Sequence, residues 1–63
     1  MDEEQIILAM EMSVEIVKET ADQDPHVAAT GCAVAAAKHA RLADEPRAEF
    51  LKLCEQAWEL SKR

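Results

Sequence analysis

Two prolines, each closely preceded by an aspartate, divide this 63-residue chain into three stretches of similar length. In Asp24-Pro25, the aspartate suits the N-cap of a helix and the proline suits its first position, where no amide hydrogen is needed. The segment Asp44-Glu45-Pro46 repeats this arrangement with one residue inserted, which predicts a second aspartate cap. We therefore predict three helices, at about 3–21, 25–43 and 46–61. The short connections favour a helical hairpin with a third helix packed against it.

The composition also favours an all-α fold. The chain is rich in Ala, Glu, Lys and Leu and has one glycine and no tyrosine, which on intrinsic propensity favours helix over sheet. We predict one compact three-helix domain over residues 1–63. A chain this short hides only about 60% of the surface that its unfolded form exposes, so its core needs a supplement. Disulfides, a metal or oligomerisation could provide it, and we predict a dimer or larger oligomer.

The net charge of −6 is concentrated near the start of the chain. Residues 1–24 carry eight acids and one lysine, whereas residues 25–43 carry a charge of +2 and residues 44–63 a charge of −1. An acidic surface repels phosphate backbones, so we expect no nucleic-acid binding. A protein partner with a basic surface is the better match.

Two further features bear on where the protein acts. No apolar run approaches the roughly 20 residues that a membrane-spanning helix requires, so we expect no membrane insertion. The acidic start lacks the positive region of a signal peptide, which predicts a cytoplasmic protein. A structural disulfide is not expected in that compartment.

The first predicted helix is apolar on more than one side. At about 100° per residue, its large apolar side chains form two stripes. The first contains Ile6, Ile7, Met10, Val14 and Val17, and we assign the last four of these to the core of the chain. The second contains Leu8, Met12 and Ile16. A helix with two apolar sides must be covered twice, so we predict that the second stripe is an interaction surface for a partner or another copy.

The other two helices differ in the size of their apolar side chains. The second carries a ridge of small residues that permits close approach of another helix, and we assign it to the same interface: Ala29, Ala33, Ala36 and Ala40. A methyl group contributes under about 1 kcal/mol when buried, so larger residues must supply the core. We expect large residues of the first helix and of the amphipathic third helix to do so, including Phe50 and Trp58.

The histidines and cysteines do not form a recognisable chemical site. Their pattern is His26-x5-Cys32-x6-His39-x14-Cys54, which lacks the close pairs typical of zinc sites. A nucleophilic pair of Cys54 with His39 across helices is conceivable, but the glycine-rich turns and hydroxyls of such sites are missing. We therefore predict no metal, no cofactor and no enzymatic activity, with both cysteines packed as small apolar residues in the core or an interface.

These features lead to three hypotheses for function. The leading one is a small acidic interaction protein, homo-oligomeric, that binds and modulates another protein as an inhibitor, regulator or adaptor. The second is an oligomer that binds a small anionic ligand such as a nucleotide, through residues contributed by neighbouring chains: Thr30, Lys38, His39 and Arg41. The third is an accessory structural subunit of a larger assembly.

Overall fold

The computed structural model describes residues 2–62, and all regular secondary structure in this range is helical. The helices are α1 (Glu3–Glu19), α2 (Pro25–Leu42) and α3 (Arg47–Leu60). Each begins and ends within two residues of its predicted boundary. The all-α, three-helix prediction is therefore confirmed.

A reciprocal pair of hydrogen bonds starts α1. The Gln5 amide donates to Asp2 Oδ1 at 2.9 Å, and the Asp2 amide donates to Gln5 Oε1 at 3.1 Å. This capping box satisfies two backbone donors at the helix start. At the other end, the Thr20 hydroxyl donates to the Ile16 carbonyl at 2.8 Å. Local side chains thus fix both ends of α1.

The predicted cap of α2 is confirmed. Asp24 Oδ1 accepts from the amides of His26 at 2.9 Å and Val27 at 3.1 Å, and Pro25 occupies the first helical position. One carboxylate oxygen therefore satisfies two of the amides that a helix start leaves without partners.

The predicted aspartate cap of α3 is wrong. Asp44 instead ends α2, with a left-handed backbone at φ 54°. Its amide donates to the Arg41 carbonyl at 3.1 Å, and the Glu45 amide donates to the Ala40 carbonyl at 2.9 Å. These two bonds form a Schellman motif, which uses Asp44 to satisfy the carbonyl end of α2 rather than the amide end of α3. Pro46 precedes α3 and makes no side-chain cap.

The three helices do not close around a core, contrary to the compact packing predicted. The radius of gyration is 12.0 Å, compared with about 10.6 Å for a compact domain of this length. The accessible surface is 5632 Å², compared with about 4,000 Å² for a compact monomer of 7.0 kDa. Within residues 2–62 only Ala40 is buried, at 8% exposure. Eleven large apolar side chains among residues 2–62 are therefore exposed to solvent.

The inward face of α1 also differs from the prediction. Ile6 and Met10 are half-buried, whereas Ile7, Val14 and Val17 are exposed, although the last three were expected in the core. Neighbouring residues lie about 100° apart around a helix, so turning Ile6 inwards turns Ile7 away. On α3 the half-buried side chains are Phe50, Leu53 and Leu60.

Candidate interaction surface

The outer side of α1 carries an exposed apolar stripe with an acidic edge. Leu8, Met12 and Ile16 recur at four-residue steps and are 61%, 63% and 40% exposed. Glu11 and Glu15 lie beside them and line the same shallow depression. We call these five residues the α1 surface. Its centre is apolar and its edge can attract a cation.

The charge of α1 is strongly negative as a whole. The helix contains five glutamates and one lysine, a net charge of −4. Glu15 Oε1 lies 3.5 Å from Lys18 Nζ, but both side chains are exposed, so this ion pair adds little stability. A second copy of α1 brought against the α1 surface would place like charges together, whereas a basic helix would neutralise them.

A second exposed apolar stripe lies on α3. Leu51, Cys54 and Trp58 recur at three- and four-residue steps, and the Trp58 side chain is 68% exposed. We call these three residues the α3 stripe. Their spacing in the sequence is helical, but Trp58 was expected to supply the core together with Phe50. Phe50 is half-buried as that prediction requires, and Trp58 is not.

An open cleft of about 1260 Å³ runs along α3 and reaches the first half of α1. Ile6 and Ala9 line it from α1, and residues 51–60 line it from α3. Most of these side chains are apolar. The cleft is open to solvent, unlike the enclosed pockets that bury most of a small molecule.

The alanine ridge of α2 is divided between the surface and the interior. Ala29, Ala33 and Ala36 are exposed. Ala40 is buried within the chain, so its methyl group is not accessible to a partner. Any contact of another helix with this ridge is therefore confined to its first three members.

The residues considered for an anionic ligand are not brought together within one chain. All four lie on α2, and Thr30 and Lys38 are eight residues apart, about 12 Å along the helix. The Thr30 hydroxyl donates to the His26 carbonyl at 2.9 Å, so it already has a partner. An anion site with Lys38, His39 and Arg41 would need neighbouring chains to complete it.

Metal-binding side chains are dispersed over the part of the chain that the structure describes. From Asp2 to Lys62, no group of three His, Cys, Asp or Glu side chains could hold a metal ion. Cys32 and Cys54 are free thiols and both are exposed, so neither packs in a core. No helix among the described residues is long and apolar enough to cross a membrane.

Over residues 2–62 the chain is a small all-α protein with exposed apolar side chains on all three helices, and the α1 surface and the α3 stripe are two groups of them. Comparisons of the chain with protein-family models, curated proteins and solved structures gave no match.

Proposed function

We propose that this protein is a small homo-oligomeric interaction protein that binds and modulates another protein through the α1 surface. One observation carries the proposal: Leu8, Met12 and Ile16 are exposed on one side of α1 and are bordered by Glu11 and Glu15. Exposed apolar patches with a polar rim are typical of interaction surfaces.

The chemistry of the α1 surface defines the kind of partner. An amphipathic helix can bury its apolar face against Leu8, Met12 and Ile16. Lysine or arginine side chains beside that face can pack their aliphatic stems on the apolar stripe and reach the carboxylates of Glu11 and Glu15. The partner is therefore a basic amphipathic helix. The positive charge of the partner helix would speed its association with the acidic α1 surface and would favour it over neutral or acidic helices.

The exposed area supports association of this chain with more than one surface. The excess over a compact monomer is about 1,600 Å². One partner contributes about 800 Å² to an interface of standard size. Two such interfaces, one with another copy and one with a different protein, would account for the excess. A role as an accessory structural subunit uses the same surfaces and stays a prediction.

A binding measurement with a defined probe tests the α1 surface. We expect a labelled helical peptide of leucine and lysine to bind the protein, measured by fluorescence anisotropy. Met12→Glu should weaken binding at least about tenfold, because it places an acid in the apolar centre. Val27→Glu is the matched control, since Val27 is 59% exposed on α2 and gains the same charge. Equal binding by the Met12 variant would reject the α1 surface.

The charged edge is tested separately. The double change Glu11→Gln and Glu15→Gln preserves side-chain size and removes two charges. We expect weaker peptide binding and a shallower dependence of affinity on salt, because screening acts on exposed charges. An unchanged salt dependence would show that the acidic edge plays no part.

A further inference from the structure

We propose that the α3 stripe binds the α3 stripe of a second copy, with the two helices antiparallel around a two-fold axis near Cys54. This assignment rests on the proposed self-association and is independent of the partner of α1. In this arrangement a second molecule of this chain covers the exposed Trp58 and Leu51 side chains.

Net charge distinguishes α3 from the other two helices. Over Arg47–Leu60 there are two bases and three acids, a net charge of −1, and Lys52 pairs with Glu49 at 3.3 Å. By comparison, α1 carries −4 and α2 carries two bases and no acid. Like charges oppose the approach of two identical helices, so α3 is the helix that meets its own copy at the lowest electrostatic cost.

The spacing of the stripe is self-complementary. Leu51 lies three residues before Cys54, and Trp58 lies four residues after it. With a rise of 1.5 Å per residue, these side chains are about 4.5 Å and 6 Å from the level of Cys54. In an antiparallel pair, Leu51 therefore lies at nearly the same level as Trp58 of the partner subunit. The large indole meets a smaller side chain on each side of the axis.

The cleft beside α3 provides the space for the second helix. It is open along residues 51–60 and is bounded by Ile6 and Ala9 of α1. Packed helices lie about 8–10 Å apart, and the small Ala9 side chain allows that approach. Tryptophan side chains buried in such contacts are a common source of binding energy. The pair of α3 helices, flanked by two copies of α1, would form a four-helix core.

The oligomeric mass tests the assignment. By sedimentation equilibrium across about 1–100 µM, we expect the chain to reach twice its 7.0 kDa mass. Trp58→Glu should give the monomer mass with helical circular dichroism retained, because the side chain is exposed in one chain. Val27→Glu is the matched control, because Val27 is 59% exposed on α2 and gains the same charge, and it should remain dimeric. Met12→Glu tests whether α1 takes part instead.

Three outcomes of the mass measurement would contradict the α3 assignment. A chain that is monomeric throughout this range contradicts self-association and the assignment together. A dimer that survives Trp58→Glu contradicts the α3 assignment and leaves self-association intact. A dimer lost in Met12→Glu and kept in Trp58→Glu would place the interface on α1 instead.

The native thiols give a second test that needs no substitution at Trp58. Cys32→Ser leaves Cys54, and Cys54→Ser leaves Cys32 on α2. We expect a short bismaleimide to cross-link the variant that retains Cys54 to twice the chain mass, because two Cys54 thiols meet near the axis. The variant that retains Cys32 should stay at the single-chain mass. Cross-linking through Cys32 alone would overturn the proposal.

Discussion

The backbone amide of Glu45 donates to the backbone carbonyl of Ala40 at 2.9 Å, which ties the turn before α3 to the one buried residue among residues 2–62. This bond belongs to the Schellman motif that ends α2. It depends on the left-handed backbone of Asp44. Glycine adopts this conformation freely and aspartate tolerates it, whereas it costs most other residues about 1–2 kcal/mol. The direction in which α3 leaves α2 is therefore set at Asp44.

Substitutions at Asp44 test this turn. We expect Asp44→Gly to be more stable than Asp44→Ala by about 1 kcal/mol, because glycine adopts the left-handed region without a steric penalty. Urea unfolding of the two variants, followed by circular dichroism, measures the difference. Equal midpoints would mean that position 44 is not left-handed in solution.

The N-cap of α2 makes a separate contribution to stability. Asp24→Ala should lower the free energy of unfolding by about 1 kcal/mol, because two amides lose their acceptor. Asp24→Asn should retain most of the stability, since its amide oxygen can accept the same bonds. Asp22→Ala is a control in the same turn, and a loss there as large as at Asp24 would contradict the cap.

Gly31 offers a stabilising substitution. It lies inside α2, and a Cβ atom added there meets nothing within 4 Å. Gly31→Ala should therefore raise the free energy of unfolding by about 0.5–1 kcal/mol, through helix propensity alone. Thermal unfolding checks this. A lower melting temperature would show that another molecule packs closely against Gly31 in solution.

Substitution by a charged residue distinguishes half-buried positions from exposed ones, because only the half-buried positions should lose much stability. Val14 is 52% exposed, so Val14→Asp should change the free energy of unfolding by only about 0.5 kcal/mol. Leu53 is half-buried, and Leu53→Asp should cost about 1–3 kcal/mol. Circular dichroism and urea unfolding compare the two. A larger loss of stability in the Val14 variant would support the original prediction that the stripe containing Val14 lies in the core.

The positions of the helices follow from the sequence because they depend on contacts only three or four residues apart. Asp24 with Pro25 marks the start of α2, and the helix-favouring composition predicts the rest. The same reasoning grouped Leu8, Met12 and Ile16 on one side of α1, where they are exposed, and their role as an interaction surface stays a prediction. These features need no knowledge of how the helices are arranged.

The tertiary structure alone decides which side of each helix faces inwards. Periodicity placed Ile6 and Ile7 in one apolar stripe of α1 and gave no means of deciding which of them faces the interior. The assignment of Ile7 to the core was wrong, because Ile6 is half-buried and Ile7 is exposed. On α3, periodicity likewise could not predict that Phe50 is half-buried while Trp58 is exposed. Asp44 could serve either the end of α2 or the start of α3, and two backbone hydrogen bonds to α2 decided it. The sequence determined local structure through short-range hydrogen bonds and propensities, whereas burial depends on the relative placement of helices distant in the chain.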